Sequence, residues 1–113
     1  MRTPVLLLLA AQLGCSAERP IVIGLAGPFS EARGSSMRLA SELAVREINA
    51  AGGVRGRQLA LRIHDDSSRA DVAVRVARVL YADPRVSAVI GHLTSAAPLA
   101  ASPVYNGGRS PVP

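Results

Sequence analysis

Ile21-Val22-Ile23-Gly24-Leu25-Ala26 is a continuous apolar run, β-branched at its start and closed by Gly27-Pro28. A strand with one wet face alternates; an unbroken short run is a strand covered on both faces, as in a parallel sheet. Downstream, a polar loop runs to Gly34, and Ser35 or Ser36 can cap a helix. Met37, Ala40, Leu43, Ala44, Ile48 and Ala51 recur at helical spacing, with Arg38, Glu42, Arg46 and Glu47 on the remaining surface. Glu42 precedes Arg46 by four residues, the better order for a helical ion pair. Gly52-Gly53 stops this helix, because a left-handed C-cap favours a residue without a Cβ.

Further along, Leu59, Leu61 and Ile63 share one face of a strand over 58–64, and Asp65-Asp66-Ser67-Ser68 supplies a turn and cap. In the next segment Val72, Val74 and Val76 alternate as in a strand, whereas Val72, Val76, Val79 and Leu80 recur as in a helix. Its length and the capping cluster before it predict a helix over 69–82, ended by Asp83-Pro84. Val86-Ser87-Ala88-Val89-Ile90 reads as a third strand. Thr94-Ser95-Ala96-Ala97-Pro98 opens a third helix, with Pro98 tolerated in the first turn and Pro103 ending or kinking it. Asn106-Gly107-Gly108 is a turn, and Pro111-Val112-Pro113 begins a fourth strand. This order predicts an α/β fold: a parallel, Rossmann-like sheet of three to four strands with flanking helices and right-handed crossovers.

Upstream of the first strand lies a targeting pattern. Arg2 is followed by an uncharged, mostly apolar run from Val5 to Leu13 and then by Gly14-Cys15-Ser16-Ala17. A basic start, a short apolar stretch and small residues make a secretory signal over residues 1–17. The run is about half the roughly 20 residues a membrane span needs. Leu13-Gly14-Cys15 also resembles the end of a bacterial lipobox, with Gln12 where an aliphatic residue is usual; lipidation of Cys15 and cleavage after Ala17 both fit. Either way the mature chain, residues 18–113, is expected to be exported, to the periplasm or cell surface.

Composition removes several classes. The 113 residues fit one domain, and 49% apolar content is too high for disorder. Aromatics are only 3%, which argues against base-stacking platforms. All 13 basic residues are Arg, giving a net charge of +5, but they are scattered as on a solvated surface and form no basic stripe. One Cys excludes a disulfide framework and a Cys-based zinc site. The dinucleotide fingerprint, the phosphate loop and the nucleophile elbow are all missing from the sequence. Asp65-Asp66 at a strand end is compatible with a metal or with a phosphoryl acceptor, as in a receiver domain, but a receiver needs a Lys and the chain has none. Helix capping and loop hydrogen bonds are the simpler role. His64 and His92 are too isolated to make a metal site, although one of them can neighbour the Asp pair. No metal or cofactor is expected.

Gly91-His92-Leu93-Thr94-Ser95 lies between a strand end and a helix start. Open α/β sheets bind ligands beyond the carboxyl ends of their strands. A helix start with a hydroxyl beside it is an anion site; equally, Thr94 or Ser95 can serve only as the cap.

Four segments together resemble the periplasmic substrate-binding proteins for leucine, isoleucine and valine, with the type I periplasmic binding fold. They are Ile21–Pro28, Ile48-Asn49-Ala50-Ala51-Gly52-Gly53-Val54 with Gly56, Ile63-His64-Asp65-Asp66, and Val89-Ile90-Gly91-His92-Leu93-Thr94-Ser95. The resemblance implies part of lobe 1 of a two-lobed binding protein that serves an ABC importer, with an amino acid or related amide as ligand, a membrane permease as partner, and no catalysis. It implies that Ser95 binds the ligand α-carboxylate, with Thr94 beside it and Ala96 contributing backbone N–H. Arg33 stands where an aromatic residue often packs on the ligand side chain, in a loop shorter than is common, so a polar or acidic ligand, an amide or urea is compatible. The family's next segment and its second lobe have no counterpart here, so the chain reads as an N-terminal fragment expected to bind weakly or not at all by itself. The same fold also serves ligand-sensing domains of receptors and regulators; an enzyme or receiver built on Asp65 and Asp66 is the remaining alternative.

Overall fold

The computed structural model describes residues 18–107. The signal segment 1–17 with Cys15, and the strand expected from Pro111, lie outside the described residues. Three parallel strands, β1 (Ile21–Gly27), β2 (Leu59–Asp65) and β3 (Val86–Ile90), alternate with helices α1 (Ala32–Ala50), α2 (Ala70–Ala82) and α3 (Ala96–Tyr105). The sheet order is β2-β1-β3, so the apolar run that opens the domain is its central strand. Ile21 pairs with Leu59 and Gly27 with Asp65 on one side, and Val22 with Val86 and Leu25 with Ile90 on the other. The carboxyl ends of all three strands therefore meet at one edge.

The core lies between the sheet and α2. Ala26, Val76 and Leu80 are buried together, with Val72, Val86, Val89 and Tyr105 against them. Gly24 faces the same way: a Cβ there would meet both Leu80 methyls and Val89. Next to this cluster, Ala73 and Ala77 of α2 pack on Ala97 and Ala101 of α3, four small side chains that let the two helices approach closely. The buried stripe of α2 is thus Ala73, Val76, Ala77 and Leu80. Val79, expected within the stripe, points outward and is 52% exposed.

Helix α1 begins earlier than expected. Glu31 is its N-cap, without a side-chain cap, and Gly34 lies inside the helix as its only buried residue. Neither Ser35 nor Ser36 caps it; the Ser36 hydroxyl bonds back to the Ala32 carbonyl. Gly34 reads as a loop residue in sequence, but its role is close approach: a Cβ there would overlap the Pro28 carbonyl. The helix ends as expected, with the Gly52 N–H on Asn49 O and the Gly53 N–H on Ile48 O, the pair of bonds that closes a Schellman motif. Asn49 then fixes the next strand, since its amide donates to Leu59 O and accepts from Leu59 N–H at 2.9 and 2.7 Å.

The expected burial of the α1 stripe is not met. Leu43 and Ile48 are 49% and 38% exposed. An apolar groove of about 310 Å³ runs between α1 and the sheet, lined by Ile23, Ala44, Ile48, Leu61 and Ile90 among others. The stripe is real; a three-stranded sheet with one helix on this face does not close over it among the described residues. A larger groove, about 520 Å³, follows the unpaired edge of β3 between Val86, Val89, Leu80 and Tyr105.

Pro103 does not end α3, which continues to Tyr105. The Leu99 carbonyl, deprived of its N–H partner by the proline, accepts the Ser102 hydroxyl instead at 3.1 Å. Several arginines pair with acids close by in sequence, among them Arg38 with Glu42, Arg69 and Arg75 with Asp71, and Arg85 with Asp83. Asp71 is held well below the ordinary carboxylate range, at about 2, by hydrogen bonds from Arg69 and Arg75. Asp83 is likewise lowered to about 2 by hydrogen bonds from Arg85, with Arg62 3.0 Å away.

Candidate functional site

Parallel topology collects three loops at the carboxyl edge of the sheet: Pro28–Glu31 after β1, Asp66–Arg69 after β2 and Gly91–Ser95 after β3. They are tied to one another. Asp65 accepts the Ser30 N–H at 3.2 Å and the Ser67 N–H and hydroxyl at 2.6 and 3.0 Å. The Ser68 hydroxyl donates to Glu31 at 2.7 Å. Ser67 and Ser68 both adopt positive φ, 51° and 56°, a local strain held by these carboxylate contacts. Asp65-Asp66 therefore performs loop hydrogen bonding. It does not cap α2, whose N-cap is Arg69 with no side-chain cap bond. No cluster of three metal-ligating side chains occurs among the described residues.

Ser95 sits at the N-cap of α3, exposed, with helical backbone angles and no side-chain cap hydrogen bond. The capping role that the sequence left open for Thr94 or Ser95 is thus unfilled. The Thr94 hydroxyl oxygen is buried and has no partner among the described residues. Ala96 is exposed and Ala97 buried, so the helix start presents backbone N–H groups beside an unspent hydroxyl. Pro98, third in the helix, removes one of the four free N–H groups. Arg33 is not in a loop: it occupies the first turn of α1, exposed, at the same sheet edge. It makes no ion pair with any described residue.

One constellation was not legible as a unit. Asp66, fully buried, accepts from His92 Nδ1 at 2.6 Å. A carboxylate only accepts, so Nδ1 carries the proton. The other ring nitrogen, Nε2, lies 3.3 Å from the Tyr105 hydroxyl, with the two ring centres 6.1 Å apart. Burial, then the charge on Asp66, pushes the Tyr105 phenol up to about 12, so its hydroxyl keeps its proton. The sequence places a histidine near the Asp pair; His92 is that residue, while His64 lies on β2 opposite Ala26. Tyr105, at the far end of α3, gave no signal.

These features define an open α/β lobe whose three loops gather at the carboxyl ends of the strands. The chain belongs to the periplasmic binding protein family, whose profile matches residues 20–112. It is 39% identical over 98 residues to an amino acid binding protein of Pseudomonas aeruginosa, covering 83% of this chain and 26% of that protein. It is 35% identical over 95 residues to Leu/Ile/Val-binding protein homolog 1 of Brucella abortus, covering 81% and 25%. Among solved structures, a branched-chain amino acid transporter substrate-binding protein of Streptococcus pneumoniae in complex with isoleucine matches with TM-score 0.73 and 35% identity, over 79% of this chain and 26% of that one. An ABC transporter substrate-binding protein of Desulfitobacterium hafniense in complex with Leu matches with TM-score 0.71 and 35% identity, over 80% and 27%. The chain spans about a quarter of the length of the relatives it matches.

Proposed function

We propose that the chain supplies part of lobe 1 of an extracytoplasmic solute-binding protein that hands an amino acid, branched-chain or a related amide, to an ABC importer, without catalysis. The observation that carries this reading is the unspent Ser95 hydroxyl at an exposed helix start. Hydroxyl, backbone N–H groups and the positive end of the α3 dipole converge where a ligand carboxylate can replace the missing cap. The names of the relatives supply the amino-acid class. In this reading Thr94 adds a second hydroxyl, Ala96 a backbone N–H, and Arg33 a cation at the rim, with which a polar or acidic ligand, an amide or urea is also compatible.

A site built by one lobe encloses only one side of a ligand, so binding by this chain is weak. Titrating the isotope-labelled chain with millimolar leucine is expected to move the amide resonances of Thr94–Ala97. Ser95→Ala weakens that response by about 1–3 kcal/mol, the loss of a hydrogen bond to a charged group. Leucine that leaves these amides unmoved, or a Ser95→Ala chain that responds like the wild type, removes Ser95 from the site.

Export follows from residues 1–17, and lipidation at Cys15 would tether the chain to a membrane without spanning it. The expected result is incorporation of labelled fatty acid by the wild-type precursor in a bacterial host and none by Cys15→Ser. Equal labelling of the two, or labelling of neither, rejects the anchor.

A further inference from the structure

We infer that Asp66, His92 and Tyr105 form a buried positioning relay that sets the Gly91–Ser95 loop, and through it the direction of the Ser95 hydroxyl. The inference deepens the proposed carboxylate site and rests on that reading for its functional meaning. His92 stands three residues before Ser95, with its side chain almost wholly buried. Its two ring nitrogens reach the end of β2 through Asp66 and the last residue of α3 through Tyr105. The relay thus joins three elements at the point where the site loop leaves the sheet.

The hydrogen bonds have a fixed direction. Asp66 accepts the hydrogen bond from Nδ1–H; in the neutral ring Nε2 is then an acceptor, and the protonated Tyr105 hydroxyl donates to it. Asp66 is itself oriented: its second oxygen accepts the Ser68 N–H at 3.0 Å, and its own backbone N–H donates to Gly27 O at 3.1 Å. A helix start is only as well aimed as the segment that leads into it. Ser95 has no cap bond of its own. Helix α3 is therefore held at its N-terminal end by the chain from His92, and at its C-terminal end by the Tyr105–His92 contact.

Nitrogen resonances of the labelled, ligand-free full chain test the relay directly. Nδ1 of His92 is expected to be protonated and Nε2 unprotonated; the opposite tautomer overturns the inference. Tyr105→Phe is expected to accelerate amide exchange at Leu99–Ala101, the first hydrogen-bonded N–H groups of α3, by roughly tenfold, the size of one lost buried hydrogen bond, with Ile23–Leu25 of β1 unchanged. Acceleration spread evenly over the chain, or none at Leu99–Ala101, means that the contact only adds stability, and overturns it. His92→Asn keeps a donor toward Asp66 and loses the link to Tyr105, so His92→Asn combined with Tyr105→Phe should not exceed His92→Asn alone; additive effects count against the relay. These outcomes need no ligand. A chain that passes them but whose Ser95 amide ignores leucine refutes the carboxylate site and leaves the relay standing.

Discussion

Asp66→Ala is expected to lower the unfolding free energy by about 2–4 kcal/mol, the cost of leaving one buried and one half-buried donor without their acceptor. The carboxylate is wholly buried and serves two donors on different segments, His92 Nδ1–H at 2.6 Å and the Ser68 N–H at 3.0 Å. Removing it strands the His92 donor in the buried interior and leaves the half-buried Ser68 N–H without its partner, and an unsatisfied buried group costs about 1–3 kcal/mol. Asp66→Asn keeps one acceptor oxygen and so loses less. Asp65→Ala is the internal comparison. Asp65 also accepts three hydrogen bonds, but it is exposed and water replaces it, so the change costs roughly 1 kcal/mol or less. Denaturant midpoints of the three variants are expected to rank Asp66→Ala lowest, then Asp66→Asn, then Asp65→Ala. Equal midpoints for Asp66→Ala and Asp65→Ala would contradict the buried pairing.

The adjacent aspartates show what a sequence displays and what it hides. Their place at a strand end is legible, because the apolar period stops there. Which of the two is buried is not, since it depends on a histidine 26 residues away and a loop that closes over one side chain only. Tyr105 is hidden for the same reason: a contact spanning 13 residues and a helix leaves no periodic trace. By contrast, the Thr94–Ala96 helix start was readable. Its position follows from the general rule for parallel sheets, and that rule needs only the order of the elements.

Helix boundaries divide along the same line. The C-terminus of α1 is marked by Gly52-Gly53, whose bonds are local. Its N-terminus is not marked, because Glu31 caps without a side-chain bond and Gly34 is selected by the Pro28 carbonyl, a packing requirement that looks like loop composition. Pro103 misleads in the opposite direction: it signals a stop, yet the Ser102 hydroxyl satisfies the carbonyl that the proline orphans. The α1 stripe gives the helix and its apolar face correctly. Burial of that face depends on what else covers the sheet, which no local pattern encodes.

Gly91→Ala should be about as damaging as Asp66→Ala, for two separable reasons. Gly91 has φ +139°, a region that L side chains rarely adopt, and forcing one there costs about 1–3 kcal/mol. A Cβ at this position would also overlap the Ala26 carbonyl on the central strand, and relief of such overpacking costs about 1–3 kcal/mol more. Gly56→Ala separates the two terms: φ is +81° but the space around it is open, so only the conformational term applies. The unfolding midpoint should therefore fall further for Gly91→Ala than for Gly56→Ala. If the two variants lose the same amount, the close approach of β1 to Gly91 contributes nothing. The Gly91 variant carries a second expectation that the Gly56 variant does not share. Relieving the overlap separates the Gly91 backbone from β1, one residue before His92 and four before Ser95. The amide resonances of Leu93–Ala96 should then move even in molecules that remain folded, so stability and the aim of the helix start are set by the same absent methyl group.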